Sequence, residues 1–530
     1  MSIQALFVTF ILVLLLIALV RDMMRPGLLL LSAAVIFMAA GILSTREMVE
    51  GFSNKGMITV AMLFLVSEGV RASGVLEELM QRILPKRKVS APRVLLRMMP
   101  SISIMSAFLN NTPVVVIFAP MLKRWAAHAK VPASKLLIPL SYATILGGMC
   151  TLIGTSTNLV VHGMALEASS THEGVRGLTI FELGQVGLPV AICGMLYLMI
   201  AGVKLLPDHT ATEDATRDNS HANPQTGYFR VDVVLSARFP AIGTPTTDFN
   251  FTEKYGAHVL ELQRGGERYD TLRMKELMFH EGDTLLLMAD KAFLNNWADS
   301  SFFLMVNDYR EEQPKRMGKK LRWFTVILLA LMVIGATVGE LPVCKEWAAA
   351  HTRGMAFDMF FFVCIAAVIM AWLNIFPTRK YTKFVSWDIL IAIASAFAIS
   401  KAMQNSGMAD AVAGWAIAAS YGQSPYFMLA VMFIICNIFT ELMTNNAAAA
   451  LSFPIALSMA EHLGVSPMPF IVTICVAASC SFCTPIGYQT NLIVQGVGGY
   501  RFGDFFKVGL PLNLIALVVS VLLVPMIWPF

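Results

Sequence analysis

The chain has 530 residues, of which 56% are hydrophobic and 14% charged, and its net charge is +5. A soluble domain carries about 25% charged residues, so this composition excludes an ordinary soluble protein and indicates a polytopic membrane protein. Its spans are expected to be helices, because lipid satisfies no main-chain polar groups. The sequence has no dense basic segment of the kind that would indicate a nucleic-acid partner.

Apolar segments of spanning length recur along the chain. Residues 1–22 lack the basic start and the cleavage site of a signal peptide, so we interpret them as the first span. The predicted spans are about 4–20, 27–43, 55–80, 136–165, 181–206, 322–342, 356–377, 386–404, 468–499 and 505–528. Two further apolar stretches, 94–127 and 425–462, contain the polar triplets Asn110-Asn111-Thr112 and Thr444-Asn445-Asn446.

The lysines and arginines fall into two sets of loops if 94–127 and 425–462 are re-entrant hairpins. The basic-rich set contains Arg21, Arg25, Arg82, Lys86, Arg87, Lys88, Arg93, Lys123, Arg124, Lys130, Lys135, Arg379, Lys380, Lys383, Arg501 and Lys507. The other set contains Arg46, Lys55, Arg176, Lys345 and Arg353. The positive-inside rule makes the first set cytoplasmic and the C-terminus external, in a multi-pass protein of the cell (inner) membrane. Single crossings would put basic loops on both sides, so the charge bias favours hairpins.

The composition turns polar between residues 207 and 321. Segment 208–227 is typical of a linker, and segments 229–239, 257–265 and 283–290 are typical of strands. We therefore predict a small cytoplasmic α/β insert with its core at 228–305. It separates a first membrane repeat at 1–206 from a second at 322–530.

The two membrane parts share a repeat. Several residues match the residue 333 positions later, and this offset holds across a span of about a hundred residues. Among the matches are Ser73-Gly74 with Ser406-Gly407, and Thr157-Asn158 with Thr490-Asn491. Asn111 matches Asn445 at an offset of 334. Each part has five crossings and one hairpin, and an odd number of crossings inserts the second part upside down. This predicts the inverted repeat of many secondary transporters, with the binding site where the halves meet.

The polar triplets are predicted to lie at the tips of the hairpins, facing the two broken helices at 147–158 and 481–491. Gly147, Gly148, Gly154, Pro485 and Gly487 interrupt those helices. Broken helices offer N–H groups to an anion and carbonyl groups to a cation. The alternative is that the asparagines and threonines only join packed helices through hydrogen bonds.

These residues resemble the divalent anion:sodium symporter family of the ion transporter superfamily, whose hairpin tips carry a Ser-Asn-Thr signature. Here the central asparagine is kept in both triplets and the flanking residues differ. Gly154-Thr155 and Asn158 match the Gly-Thr and Asn of the family's first break. Thr484-Pro485 and Asn491 match the Thr-Pro and Asn of its second break, with three extra residues between them.

The resemblance implies a homodimer that moves a transport domain against a scaffold, as an elevator. It implies sodium sites at Ser106, Asn110, Asn111 and Gly154, and at Thr440, Thr444, Asn445 and Cys483. The implied anion contacts are Asn111, Thr112, Thr155, Asn158, Asn445, Asn446, Thr484, Pro485 and Asn491. Sodium is the only implied metal, and no organic cofactor is implied. The anion is a sulfate-like oxyanion or a dicarboxylate.

The insert resembles the C-terminal subdomain of the potassium-conductance regulator family, through segments 254–267 and 281–290. Relatives that combine it with the symporter core are often linked to sulfate and commonly carry two copies, whereas this chain shows one. The insert at 228–305 either binds an unknown regulatory ligand or serves in packing and dimerisation.

Several charged residues at membrane depth leave alternatives open. Glu68 and Lys401 are functional candidates or residues that snorkel from helix ends. Glu441 lies near the second tip, where a structural hydrogen bond or ion pair competes with proton coupling. His162 is expected at an interface. Cys480 and Cys483 form a CxxC pair within an apolar segment, where packing explains them better than metal binding.

The main rival function is a cation/proton antiporter of the same superfamily, which needs a titratable carboxylate at the crossing point. The neutral tips argue against it. A potassium channel would need a repeated filter sequence, and "PIGYQTN" occurs once. No HExxH, GxSxG or clustered metal ligands favour an enzyme.

Single cysteines at Lys88, Lys130 and Ser220 test the predicted topology. In a background without exposed native cysteines, all three are expected to resist an impermeant thiol reagent in intact cells, because all three loops are predicted to be cytoplasmic. Labelling at position 130 but not at position 88 would mean that 94–127 crosses the membrane, and the inverted repeat would be wrong.

Overall fold

The computed structural model describes residues 2–21, 23–85, 90–129, 131–169, 172–208, 228–265, 267–297, 300, 302–308, 317–352, 355–419 and 424–530. Several residues used in the sequence predictions lie outside these ranges: Lys86, Arg87, Lys88, Lys130, Arg353 and the linker residues 209–227.

The first part of the chain is helical and follows the predicted spans closely. Its α-helices are α1 Ile3–Val20, α2 Pro26–Ala39, α3 Thr45–Glu50, α4 Lys55–Ser73, α5 Val75–Ile83, α6 Ala91–Ser106, α7 Asn111–Ala129, α8 Leu137–Gly148, α9 Ser156–Ala168, α10 Gly184–Tyr197 and α11 Val203–Leu205. A π-helical turn, Leu198–Gly202, joins α10 to α11.

The last part of the chain is built in the same way. Its α-helices are α14 Lys319–Gly339, α15 Pro342–His351, α16 Met359–Trp372, α17 Tyr381–Phe384, α18 Trp387–Ser406, α19 Met408–Ala419, α20 Pro425–Leu442, α21 Asn445–Leu463, α22 Met468–Ser479, α23 Gln489–Gly498 and α24 Phe502–Ile527. Within the described ranges, six helices are long and apolar enough to cross a membrane, and four more are apolar but shorter. The chain is therefore a polytopic helical membrane protein.

Three predicted spans are interrupted. The first, 55–80, is divided at Gly74 into α4 and α5. Its counterpart in the second repeat is α18, which likewise ends at a glycine, Gly407, before α19 begins. Both glycines have a left-handed backbone, with φ of +73° and +72°, which favours a residue without a Cβ atom. The other two, 136–165 and 468–499, are broken at residues 149–155 and 480–488.

The segment between the membrane parts forms a five-stranded sheet. Its elements are β1 Phe229–Leu235, α12 Phe251–Tyr255, β2 His258–Arg264, β3 Glu267–Asp270, β4 Thr284–Ala289, α13 Lys291–Trp297 and β5 Phe303–Asp308. The strand order is β3-β2-β4-β1-β5, and every paired strand is antiparallel. The strand-like segments predicted at 229–239, 257–265 and 283–290 contain β1, β2 and β4. Sequence patterning missed β3 and β5.

The membrane helices pack in two groups. In one group α2 lies along α18 and α4 lies along α16. In the other, α6 packs on α8, α20 on α22, and α10 on α24. The groups meet where α21 packs on α18 and where α9 crosses α4. The second contact is close, since a Cβ atom on Gly56 would lie 3.0 Å from the Leu159 carbonyl oxygen.

Contacts between loops agree with the two predicted sets. In the basic-rich set, Lys123 lies 3.8 Å from Asp232 of β1, and Arg82 pairs with Glu78, which also pairs with Arg322. In the other set, Lys55 pairs with Asp358, and the Trp528 indole donates to Glu182 at 2.8 Å. The chain end at Trp528 therefore lies beside the loop before α10, on the side opposite the sheet. Which side faces the cytoplasm stays a prediction.

Candidate functional site

The first polar triplet lies where the chain reverses between α6 and α7. Ser106 ends α6 and Asn111 begins α7, and both side chains are buried. The Ser106 hydroxyl donates to the Asn111 side-chain oxygen at 2.5 Å. Asn110 is half-buried in the turn between them.

The second polar triplet has the same geometry. Thr440 lies near the end of α20 and Asn445 begins α21. The Thr440 hydroxyl lies 2.8 Å from the Asn445 side-chain oxygen, across the same separation of five residues. It also lies 2.6 Å from the Ala478 carbonyl oxygen, and its single proton is donated to only one of the two. Thr444 precedes α21 without a side-chain cap, so its hydroxyl does not satisfy the first N–H groups of that helix.

An asparagine braces each broken helix. Asn158 donates its amide to the carbonyl oxygens of Gly148 and Thr151, at 3.3 and 2.8 Å. Asn491 donates in the same way to Ser481 and Thr484, at 2.9 and 3.1 Å. These bonds partner carbonyl groups that no longer have a helical partner. Both amide nitrogens are therefore used within the breaks.

A threonine ties each break to its own hairpin. Thr151 donates to the Ala107 carbonyl and accepts from the Gly154 N–H at 3.1 Å. Thr484 donates to the Glu441 carbonyl at 3.0 Å and accepts from the Gly487 N–H at 3.3 Å.

These bonds show which residues of the two breaks correspond to each other. Thr484 is the counterpart of Thr151, and Gly487-Tyr488 are the counterparts of Gly154-Thr155. The match of Thr484-Pro485 to the family's Thr-Pro stays a prediction. Both glycines are needed for close approach, since an added Cβ atom would lie 2.6 Å from the carbonyl oxygen of Gly148 or of Thr440, respectively.

Each hairpin tip also contacts the opposite break. Asn111 donates its amide to the Tyr488 hydroxyl at 2.6 Å, and Thr112 lies 3.4 Å from the Gln489 side-chain oxygen. On the other side, the Asn446 side-chain oxygen accepts from Ser156 and Thr157, at 3.2 and 3.1 Å. The four segments thus form one connected polar network.

Four helices begin in this network: α7, α9, α21 and α23. A helix N-terminus exposes N–H groups and carries a partial positive charge of about half an elementary charge. The residues that precede α9, α21 and α23 make no side-chain cap to those N–H groups. The tip and break residues in contact here are neutral apart from Glu441, so main-chain dipoles provide the local positive field.

One buried donor in the network has no acceptor. The Asn445 amide nitrogen is buried and makes no hydrogen bond within the described part of the chain. A buried unsatisfied polar group costs about 1–3 kcal/mol. Within the described residues, this amide is therefore free to donate to a bound acceptor.

Glu441 holds the second break in place. Its carboxylate accepts from the N–H groups of Cys483 and Thr484, at 2.7 and 2.8 Å, and from the Asn513 amide at 3.0 Å. These three hydrogen bonds support a structural role for Glu441 over proton coupling. The counterpart in the first hairpin is Ala107, so this clamp exists in one half only.

The remaining predicted residues are distributed as follows. Cys483 and Pro485 are buried in the second break, and Thr112 and Thr155 line the network. Glu68 pairs with Arg71 within α4, and His162 is buried and accepts from the Leu178 N–H at 3.0 Å. Lys401 lines a separate cavity of about 190 Å³ together with Glu50 and Glu167.

Sequence reasoning missed Tyr488, Gln489, Ser156 and Asn513. For Tyr488 a signal was present, because the offset of 333 places it opposite Thr155. For Asn513 there was none, because its contact with Glu441 joins residues 72 positions apart.

The profile of the citrate transporter family matches residues 12–474 and, in a second match, residues 356–529. The chain belongs to this family. It is a transporter family, and the chain is therefore not an enzyme.

Named relatives refine this assignment. An uncharacterized transporter of Synechocystis is 29% identical over 93% of this chain and 92% of its own length. Sodium/sulfate cotransporter 1 of Chlamydomonas reinhardtii is 22% identical over 90% of this chain and 84% of its own length. A sodium-dependent dicarboxylate transporter of Staphylococcus saprophyticus is 30% identical over 28% of this chain and 29% of its own length. These relatives confirm the predicted resemblance to the divalent anion:sodium symporters.

Replacing Glu441 with glutamine tests its structural role. The Glu441→Gln amide would face the Thr484 N–H donor to donor, which costs about 1–3 kcal/mol. We expect a lower melting temperature in detergent and an unchanged pH dependence of the remaining transport. Glu68→Gln, which breaks a partly exposed pair worth at most about 1 kcal/mol, is the control. An unchanged melting temperature together with a flattened pH profile would assign Glu441 to proton transfer.

Proposed function

We propose that this chain is a secondary active transporter that takes up a divalent anion together with sodium. The observation that carries the proposal is the meeting of four helix N-termini in a buried, largely neutral network. Such termini bind anions through N–H groups and the helix dipole. A sulfate-like oxyanion is the favoured substrate and a dicarboxylate the next.

The anion would bind at the uncapped N-termini of α9, α21 and α23. Its oxygen atoms would accept from main-chain N–H groups and from the Asn445 amide, which lacks another acceptor. Asn111, Thr112, Thr155, Asn446 and Tyr488 would surround it. Asn158 and Asn491 would act indirectly, because their amides hold the breaks open. Thr484 and Pro485 would shape the second break without being the counterparts of Gly154-Thr155.

Sodium would compensate the charge of the anion. An unpaired dianion is costly to bury in an apolar interior. Each tip offers side-chain oxygen atoms next to the carbonyl groups of a break, and hard cations prefer oxygen ligands. The proposed sites are those of the sequence prediction: Ser106, Asn110, Asn111 and Gly154, and Thr440, Thr444, Asn445 and the Cys483 carbonyl. Only the carbonyl group of Cys483 is proposed as a sodium ligand, since its N–H group donates to Glu441.

The two groups of helices suggest how transport would proceed. The hairpins and breaks belong to one group, and α2, α4, α16 and α18 belong to the other. We propose that the first group moves as an elevator against the second, in an inverted repeat whose hairpins are re-entrant. The second group would form the scaffold of a homodimer.

The sheet would lie on the cytoplasmic side as a subdomain similar to the potassium-conductance regulators. The sheet packs closely against α23. At Gly496 of α23, an added Cβ atom would lie 2.9 Å from the carbonyl oxygen of Gly282, which precedes β4. Since α23 begins at the proposed anion site, a ligand that binds to the sheet would influence the anion site through this one short helix. A purely structural role of the sheet would use the same contact.

Two observations favour the symporter over the cation/proton antiporter. The carboxylate nearest the tips, Glu441, already has three donors. The relatives matched along most of this chain include sodium/sulfate cotransporters, and the matched dicarboxylate transporter aligns with a third of it or less. We therefore rank a sulfate-like anion first.

Purified protein in liposomes tests the function. We expect sulfate uptake that requires an inward sodium gradient, because the neutral tips need cations to hold a dianion. Thiosulfate and succinate would be compared in the same vesicles, and empty vesicles are the control. Uptake that is unchanged without sodium and follows a proton gradient would move this chain to a proton-coupled class.

The asparagines at the tips test the site. Asn111→Ala and Asn445→Ala each remove a side chain that would contact sodium or anion. A lost hydrogen bond to a charged group is worth about 1.5–3 kcal/mol, or roughly one to two powers of ten in affinity. We expect each change to abolish most of the stabilisation of the folded protein by sodium.

The matched control is Asn437→Ala, in the hairpin that contains Asn445. Asn437 donates to the Cys480 carbonyl at 2.6 Å, so its loss should lower stability and leave the effect of sodium intact. Asn111→Ala and Asn445→Ala with wild-type uptake and wild-type sodium stabilisation would show that the tips only join helices.

A further inference from the structure

The two halves of the site differ at one equivalent position. Thr155 precedes α9 and Tyr488 precedes α23, and their backbones are nearly identical, with φ/ψ of −140°/145° and −139°/131°. The phenol extends beyond the reach of a threonine. Its hydroxyl accepts from the Asn111 amide at 2.6 Å and lies 3.5 Å from the Thr155 hydroxyl. A side chain of the second break thus reaches the tip of the first hairpin.

This difference leaves the two tip amides in different states. The Asn111 amide is engaged by Tyr488. The Asn445 amide is its counterpart, but Thr155 makes no contact with it, and it stays buried without an acceptor in the described residues. The site therefore has one occupied tip and one open tip.

We infer that Tyr488 determines the substrate class by admitting a compact tetrahedral oxyanion and excluding a four-carbon dicarboxylate. The inference rests on the proposed function and deepens it. A dicarboxylate has a charged group at each end, and a symmetric pair of open tips would supply donors for both. Tyr488 engages the Asn111 amide, so at this tip a second carboxylate would meet an aromatic ring and a single phenolic hydroxyl instead of a free amide. Burying a charge without partners is costly.

A compact oxyanion needs only the open tip. Its oxygens would accept from the Asn445 amide and from the N–H groups that begin α21. The Tyr488 hydroxyl adds a donor, because a phenol that accepts from Asn111 still has its own proton to give. The ring therefore both limits the length of the substrate and donates to it.

Tyr488→Thr restores the residue that the first half carries. We compare uptake of sulfate and succinate in liposomes at equal sodium, and the stabilisation of the detergent-solubilised protein by each anion. The wild type should prefer sulfate at least about tenfold. In Tyr488→Thr the preference should fall about tenfold or more, with a gain for succinate. Tyr488→Phe keeps the ring, so it should retain the preference and bind sulfate roughly tenfold more weakly.

The outcomes separate the two proposals. A wild type that carries sulfate and succinate equally well overturns this inference and leaves the proposed function standing. An unchanged preference in a folded Tyr488→Thr protein does the same. If Tyr488→Thr does not fold, Tyr488→Phe is the deciding variant. Wild-type affinity for sulfate in Tyr488→Phe would show that the Tyr488 hydroxyl does not bind the anion, and would overturn this inference. A wild type that carries neither anion overturns the proposed function and this inference with it.

Discussion

A helix that is interrupted inside a membrane must satisfy its freed main-chain groups within the protein, because lipid offers no partner. The rest of this structure depends on how that constraint is met. Asn158 and Asn491 return an amide to the carbonyls of each break, and Thr151 and Thr484 join each break to a hairpin. The carbonyl side of each break is thereby bound, and the N–H groups that begin the next helix are left to face the centre.

The same solution appears twice, and under the proposed function the repetition explains how a neutral site would attract an anion. Two hairpins and two breaks bring four helix N-termini together, so the positive field comes from main-chain dipoles and needs no lysine or arginine. A neutral site also suits a transported anion, since a fixed cation would hold it in both orientations of the protein. Compensation by a co-transported cation would release the anion when the cation leaves.

The halves are not identical, and the differences carry the chemistry of this particular chain. Glu441 replaces an alanine of the first hairpin and fastens the second break through two N–H groups. Tyr488 replaces a threonine and engages one of the two tip asparagines. The repeat thus provides the frame, and these two residues make the two halves of the network different.

Much of this arrangement could be predicted from the sequence. Most of the apolar helices and the polar turns that contain the two asparagines were predicted, because polar triplets stand out in apolar runs and recur at a constant offset. The pairing of Asn111 with Tyr488 was not, since it joins residues 377 positions apart and depends on how the hairpin meets the opposite break. The offset of 333 already places Thr484 opposite Thr151, and the bonds of Thr484 agree with that register. In the sheet, β3 was missed because Glu267–Asp270 is short and lacks an apolar pattern.

The central claim is that an anion binds where the four helices begin. The most direct test is a crystal structure with sodium and selenate, whose selenium atom gives an anomalous signal that sulfate lacks. The account predicts one anomalous peak between the N-termini of α9, α21 and α23, with oxygen atoms within hydrogen-bond distance of the Asn445 amide and the Tyr488 hydroxyl. A peak in the cavity beside Lys401, with none at the hairpin tips, would contradict it.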